Sequence, residues 1–165
     1  MNKIAVFGLG KVGTLVGVLL SEKFKVTGFD IRSPHYDMKL PFTVKQLDIG
    51  KVDHIKIALE GMDAVISALP YYLNTHIAKI AHRQGIHYFD LTEDVNTMRN
   101  IETLSEHSVS VLAPQCGLAP GFIGILGGDL ARQFDQLRDI ELRVGALPRY
   151  PNGQLAYSFT WSQQV

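Results

Sequence analysis

The sequence predicts a doubly wound α/β domain, a parallel sheet with helices on both faces. Three observations predict it. Short, β-rich apolar runs alternate with helix-like runs along most of the chain. A glycine-rich hexapeptide, Gly8-Leu9-Gly10-Lys11-Val12-Gly13, lies between the first apolar run and the first helix-like run. An acidic residue, Asp30, closes the second strand-like run, about 20 residues beyond the glycines.

The elements follow in order. The first strand is expected over Lys3–Phe7, from the run Ile4-Ala5-Val6-Phe7, and the first helix over Lys11–Ser21. A second strand is expected over 25–29 and a third over 43–47. Pro34 and Pro41 fall between them, so a loop or short helix should replace the usual crossover helix there. Helices at 52–60, 73–84 and 96–106 should alternate with strands at 64–68, 87–91 and 108–113. A further helix is expected at 123–134 and a further strand at 138–144. With the glycine motif in the first βα turn, the Rossmann strand order 3-2-1-4-5-6 follows. Tyr150-Pro151-Asn152-Gly153 then reads as a turn between two strand-like runs, 141–147 and 155–161. That hairpin marks a change of architecture. Residues 1–136 are therefore expected to form the dinucleotide-binding domain, and 137–165 the start of a second, incomplete α+β domain.

Each glycine of the motif has a physical role. Gly8 permits the tight turn out of the strand, Gly10 lets backbone N–H groups approach a pyrophosphate, and Gly13 lets the helix pack on the strand. The helix N-terminus at Lys11 and Val12 adds a field that favours the anion. Asp30 should accept from the adenosine ribose hydroxyls and favour NAD; Arg32, beyond Ile31, is the residue that would instead admit the 2′-phosphate of NADP. Asp48 and the Ile49 N–H should meet the adenine edge, or Asp48 should cap the following helix. A glycine-rich turn that binds nothing is the plainer reading of the motif.

Reactive groups should come from the loops after strands 1, 4, 5 and 6, because the crevice of such a sheet lies beyond its carboxyl ends. Asp90 ends an apolar strand, so it is a candidate to handle protons, or it caps the next helix. Thr92 and Asp94 suit capping as well. Cys116 is a candidate nucleophile without an evident base in sequence, or, the favoured reading, a small buried or half-buried packing residue. His76, near the start of a helix rising from the crevice, is a surface or substrate-contact residue. The histidines show no metal-ligand spacing, and no GxSxG, HExxH or CxxC pattern is present, so no metal is expected.

Composition sets outer bounds. The 165 residues carry 16 basic and 16 acidic side chains with no charge run, which gives no basis for a nucleic-acid or anionic-membrane partner. A single cysteine excludes an intrachain disulfide and favours a cytoplasmic setting. The longest apolar stretch, 15–20, is too short to span a bilayer.

Together these segments resemble the saccharopine dehydrogenase family, in particular its L-lysine 6-dehydrogenase-like branch. The matching residues are the glycine hexapeptide, Leu69-Pro70, Tyr88-Phe89-Asp90-Leu91-Thr92-Glu93-Asp94-Val95, and Pro114-Gln115-Cys116-Gly117-Leu118-Ala119-Pro120-Gly121-Phe122. Arg143 to Pro148, followed by Trp161-Ser162, is similar to the entry into that family's catalytic domain. The resemblance implies an NAD(P)-dependent dehydrogenase acting on CH–NH or CH–NH2, with a small amino-acid substrate and a homodimer formed through the second domain. It places Leu69, Pro70 and Tyr71 along the nicotinamide ribose and Asp90 and Thr92 on the reaction side. It makes Cys116, Gly117, Pro120 and Gly121 part of the loop under the substrate. The alternative function is a non-catalytic NAD(P)-binding sensor. A short-chain epimerase or reductase is disfavoured, because no tyrosine has a lysine four residues on.

Overall fold

The structure is a computed structural model, and it describes residues 1–32, 39–145 and 150. Strands β1 (Lys3–Phe7), β2 (Lys25–Asp30), β3 (Thr43–Gln46), β4 (Ala64–Ser67), β5 (His87–Asp90) and β6 (Leu112–Ala113) form one sheet in the order β3-β2-β1-β4-β5-β6. Every pairing is parallel. The order therefore reverses between β1 and β4, as predicted. Helices α1 (Lys11–Ser21), α2 (Val52–Leu59), α3 (Tyr71–Gln84), α4 (Val95–Ser105) and α5 (Phe122–Ala131) lie within two residues of their expected limits, except that α5 ends three residues early.

Side-chain alternation along each strand divides the core. Ala5 and Phe7 of β1, Val65 of β4 and Tyr88 of β5 join Ile55, Leu59, Ile77 and Ile101 from α2, α3 and α4 in the larger cluster. Ile4, Val6, Val26 and Ala64 face the other way, with Leu9 and Leu20 from the α1 side. The sheet is thus covered on both faces, which is why its strands read as continuous apolar runs.

Phe42 fills the region where the sequence lacked a second crossover helix. A methyl group built on Gly17 of α1 would come 2.7 Å from its ring, and one on Gly28 of β2 2.9 Å. Two glycines on adjacent elements make the slot, and one phenyl ring fills it. Phe42→Ala is expected to cost about 3 kcal/mol, the lower end for such a truncation because the ring is only half-buried. Urea denaturation reads this, and an unchanged midpoint would contradict it.

Two expectations need correction. The strand expected at 138–144 is absent: residues 138–145 carry no strand, and Ile140, Leu142 and Val144 are exposed. Alternating hydrophobicity proposes a strand, but a strand exists only where an edge pairs with it. β6 is also only 2 residues long rather than 6; the Ser110 N–H donates locally to the Ser108 hydroxyl oxygen at 3.2 Å instead of extending the ladder. The crossover at 33–38 and the hairpin's second arm at 155–161 lie outside the described residues. Among the described residues, no helix is long and apolar enough to cross a membrane.

Candidate dinucleotide site at the strand-order switch

The first βα turn is closed by contacts that leave no room for side chains. Gly8 has φ +84°, and a methyl group there would meet the Ala68 carbonyl oxygen at 2.9 Å. A methyl group on Gly13 would lie 1.8 Å from the Gly8 carbonyl oxygen, so helix α1 touches the turn backbone to backbone. At Gly10, in contrast, a methyl group meets nothing within 4 Å. Gly10 is also the N-cap of α1 and supplies no side-chain cap. The turn is therefore tight at Gly8 and Gly13 and open at Gly10, where the first N–H groups of a helix face outward. This cradle fits a pyrophosphate.

Asp30 fixes that cradle to the end of β2. One carboxylate oxygen accepts the Leu9 N–H at 2.7 Å, and the other accepts the Arg32 N–H at 2.9 Å. Each oxygen keeps a lone pair for a further donor. Beside it lies a cleft of about 1110 Å³, lined by Leu9, Gly10, Asp30, Ile31, Arg32, Gln46, Asp48, Ile49, Gly50, Leu69, Pro70, Tyr72 and Leu73. Asp48 does not cap α2, whose N-cap is Lys51. Its Oδ1 accepts the Gly50 N–H at 2.9 Å and shapes the cleft floor. Ile49 is buried.

The structure brings most of the expected cofactor residues together here. Lys11, Val12 and Gly13 sit on the first turn of α1 beside the cleft. Tyr71 is not on its wall; Tyr72, its neighbour on the first turn of α3, is. Helical phase decides between adjacent tyrosines, and the sequence gives no phase before the helix start is known. Gly50 and Leu73 on the same wall were also missed by sequence reading, as was Gln46. Its side-chain amide donates to the Ile31 carbonyl at 3.1 Å, a contact with no local signature.

Asp90 and Thr92 behave differently from their expected crevice-facing placement. Tyr88 and Asp90 share the core face of β5, and both have no exposed surface. Asp90 Oδ2 accepts the Tyr88 hydroxyl at 2.7 Å. Its Oδ1 accepts the N–H groups of Thr92 at 2.9 Å and Gln115 at 3.3 Å. Thr92 is also buried, and its hydroxyl oxygen accepts the Asp94 N–H at 3.2 Å. Asp94 is the residue that caps α4, through the Thr97 N–H at 2.7 Å. The spacing Tyr88-Phe89-Asp90 was the available signal: in a strand, i and i+2 face the same way.

Burial pushes the Asp90 carboxyl up from the usual carboxylate range, against the opposing pull of its Tyr88, Thr92 and Gln115 donors. It pushes the Tyr88 hydroxyl far up as well, with the Asp90 charge adding to it. The sign for stability follows. A carboxyl raised in the folded state contributes stability that is full below its unfolded value of about 3.9 and is lost as pH rises through the raised value. Asp90→Asn does not titrate, so the variant should gain on the wild type as pH rises from 4 to 8 in thermal melts. A pH-independent difference would contradict this.

Cys116 is exposed rather than packed. Its sulfur lies 3.4 Å from the Ala113 carbonyl, and partial burial of the thiol, then the Asp90 charge, push it up, away from a ready nucleophile. The loop around it is tied by a bridge and by backbone hydrogen bonds. Gly117 and Gly121 form a bridge, and a methyl group on Gly121 would fall 2.2 Å from the Gly117 carbonyl oxygen. The Ala119–Pro120 peptide bond is cis. The N–H groups of Phe122 and Ile123 donate to the carbonyls of Gly117 and Leu118 at 2.9 and 3.0 Å. The amides at the head of α5 are thereby engaged. His76 lies in the first half of α3, outside the cleft wall. Among the described residues, no group of three or more His, Cys, Asp or Glu could hold a metal ion.

A family model described as the saccharopine dehydrogenase NADP binding domain matches residues 4–115, more than half of the chain. Among solved structures, the apo saccharopine dehydrogenase (L-Glu forming) of Saccharomyces cerevisiae is similar with a TM-score of 0.67 at 18% identity. The match covers 98% of this chain and 39% of that one, so the chain spans about two fifths of that relative's length. Uronate dehydrogenase from Agrobacterium tumefaciens matches with a TM-score of 0.46 at 14% identity, over 56% of this chain and 41% of that one. An L-threonine dehydrogenase from Cupriavidus necator matches with a TM-score of 0.46 at 17% identity, over 53% of this chain and 35% of that one.

Proposed function

This chain belongs to the saccharopine dehydrogenase NADP binding domain family, and on that premise we propose that it is the cofactor-binding part of an oxidoreductase that transfers hydride at a carbon–nitrogen bond of an amino acid. One observation carries the reading. The first βα turn is closed at Gly8 and Gly13 and open at Gly10, beside a cleft that reaches Asp30 and Asp48.

Gly10, Lys11 and Val12 would hold the pyrophosphate by backbone N–H groups at the head of α1. Asp30 would orient the adenosine ribose while it keeps the turn in place through Leu9 and Arg32. Leu69, Pro70 and Tyr72 would form the apolar wall that carries the cofactor towards the ends of β4 and β5 and excludes water there. When bound, the nicotinamide supplies the hydride chemistry. NAD is the preferred form in this reading, since the Asp30 charge opposes a 2′-phosphate; Arg32 on the cleft wall is the residue through which NADP would bind.

The remaining parts of the reading rest on sequence and family. A second domain begins near residue 137, completes the substrate site and forms a homodimer, in a cytoplasmic protein of the lysine-dehydrogenase-like branch. A cofactor-occupancy sensor is the second reading. It draws on the observation that Asp90 and Thr92 are both engaged with backbone N–H groups. Assay of the full-length protein against a panel of amino acids, following reduced cofactor at its absorbance band, separates the two. Turnover supports the dehydrogenase. Tight cofactor binding without turnover on any amino acid supports the sensor.

A further inference from the structure

We propose that Asp90 is a positioning residue: a buried latch that holds the 114–121 loop in its working shape through the N–H groups of Gln115 and Cys116. The proposal rests on the dehydrogenase reading for its kinetic arm alone. Four bonds converge on this residue. Its carboxylate takes the Tyr88 hydroxyl on one oxygen and the Thr92 and Gln115 N–H groups on the other. Its own carbonyl accepts the Cys116 N–H at 2.7 Å. β5 is thus tied to two consecutive amides of the loop that follows β6.

The loop needs such a tie. Gln115 has φ 62°, the only left-handed non-glycine residue among those described. A glutamine holds that conformation only where its surroundings over-determine it. The Gln115 N–H on Asp90 Oδ1 and the next N–H on the Asp90 carbonyl fix the peptide planes on either side of that strained residue. Beyond it, the Gly117–Gly121 bridge and the Phe122 and Ile123 N–H bonds carry the fixed geometry into α5. One buried residue, through its carboxylate and its carbonyl, therefore sets the shape of a surface that borders the carboxyl ends of β5 and β6. It touches no open crevice itself, since it has no exposed surface.

The latch and direct catalysis predict different substitution patterns. An asparagine keeps an oxygen for the Thr92 and Gln115 N–H groups, and its NH2 donates to the Tyr88 oxygen. Asp90→Asn should therefore retain turnover within about tenfold, whereas a carboxylate that moves protons would lose about 100-fold or more. Asp90→Ala removes the carboxylate that accepts from Thr92 and Gln115 and leaves only the main-chain carbonyl that holds Cys116. It should lose about 100-fold in kcat, the scale of a misplaced reacting surface, with cofactor Kd unchanged. Gln115→Pro leaves Asp90 intact but deletes the donor and forbids φ 62°. It breaks the same latch from the loop side.

The experiment uses the full-length protein and its only thiol in the sequence given, Cys116, as a loop probe. Maleimide labelling of Cys116 and amide exchange at Gln115 are measured beside kcat and cofactor Kd. The latch predicts faster amide exchange at Gln115 in Asp90→Ala and wild-type-like exchange in Asp90→Asn. It predicts faster labelling in Gln115→Pro than in the wild type. Labelling should also be faster in Asp90→Ala than in Asp90→Asn, which both lack the charge beside the thiol, with the same ordering of the two Asp90 variants in kcat. Equal loss of kcat in Asp90→Asn and Asp90→Ala overturns the proposal, as does unchanged labelling in Gln115→Pro. If the wild type turns over no amino acid, the dehydrogenase reading fails by itself. Labelling still decides the latch: faster reaction in Asp90→Ala than in Asp90→Asn supports it, and equal rates overturn it.

Discussion

Gly13→Val should abolish cofactor binding and unfold the first βα turn, whereas Gly10→Val should abolish binding in a protein as stable as the wild type. The contrast comes from two adjacent measurements. The first side-chain atom at position 13 would lie 1.8 Å from the Gly8 carbonyl oxygen, and neither a Cβ, fixed by the backbone, nor a backbone carbonyl can rotate away. Helix α1 must then leave β1, and the apolar contacts of Leu9 and Leu20 with Ile4 and Val6 go with it. Loss of several kcal/mol, about 3 or more, is expected from this kind of overpacking and separation. At position 10 the same atom meets nothing. The valine is accommodated in the apo protein and occupies the space a pyrophosphate needs. Thermal melts and cofactor titrations of both variants check this. Equal stability of the two would contradict the packing account, and retained affinity in Gly10→Val would contradict the pyrophosphate assignment.

Asp30→Ala should weaken NAD binding about 100-fold, equivalent to about 2.7 kcal/mol, because it removes the ribose acceptor and two bonds that shape the turn. The Leu9 N–H lies at 2.7 Å from this carboxylate and the Arg32 N–H at 2.9 Å. Both lose their partner in the alanine variant, so the loop relaxes as the ribose contact disappears. NADP binding should suffer less, since the charge that opposes a 2′-phosphate is gone while Arg32 remains on the cleft wall. The ratio of the two affinities is therefore expected to move towards NADP by about tenfold, or 1.4 kcal/mol. Isothermal titration with both cofactors measures it. Parallel loss of both affinities would mean that Asp30 serves the turn alone.

What could be read from the sequence divides by the range of the interactions involved. The glycine turn, Asp30 and the strand order 3-2-1-4-5-6 rest on local spacing and on the handedness of βαβ units, and they were legible. The Phe42 ring between Gly17 and Gly28 joins three segments remote in sequence, and no local pattern announces it. The strand expected at 138–144 shows the opposite failure. Its alternation is genuine, but a strand is a relation between two segments, and the described residues contain no partner for it.

The candidate site divides in the same way. The turn of its proposed dinucleotide half was legible because Gly8 and Gly13 have backbone reasons to be glycine, while Gly10 leaves the turn open. The reaction half was placed by strand ends without attention to face. Tyr88 and Asp90 lie two residues apart and must share a face, and the tyrosine belongs to the core. That parity places the carboxylate inside, where burial raises its pKa and three hydrogen bonds to it, with a fourth to the residue's own carbonyl, make Asp90 an organiser of the following loops.

On the proposed reading, a nicotinamide dinucleotide lies across the open turn at Gly10 and along the cleft to Asp48. Titration of the protein with NAD and with NADP, followed by amide NMR shifts, tests this most directly. The account predicts saturable binding, with the largest shifts at Gly8, Gly10, Gly13, Ile31 and Leu69 and none at the far end of the sheet around Lys56 and Gly61. Absence of saturation with either cofactor, or shifts centred away from the glycine turn, would contradict it.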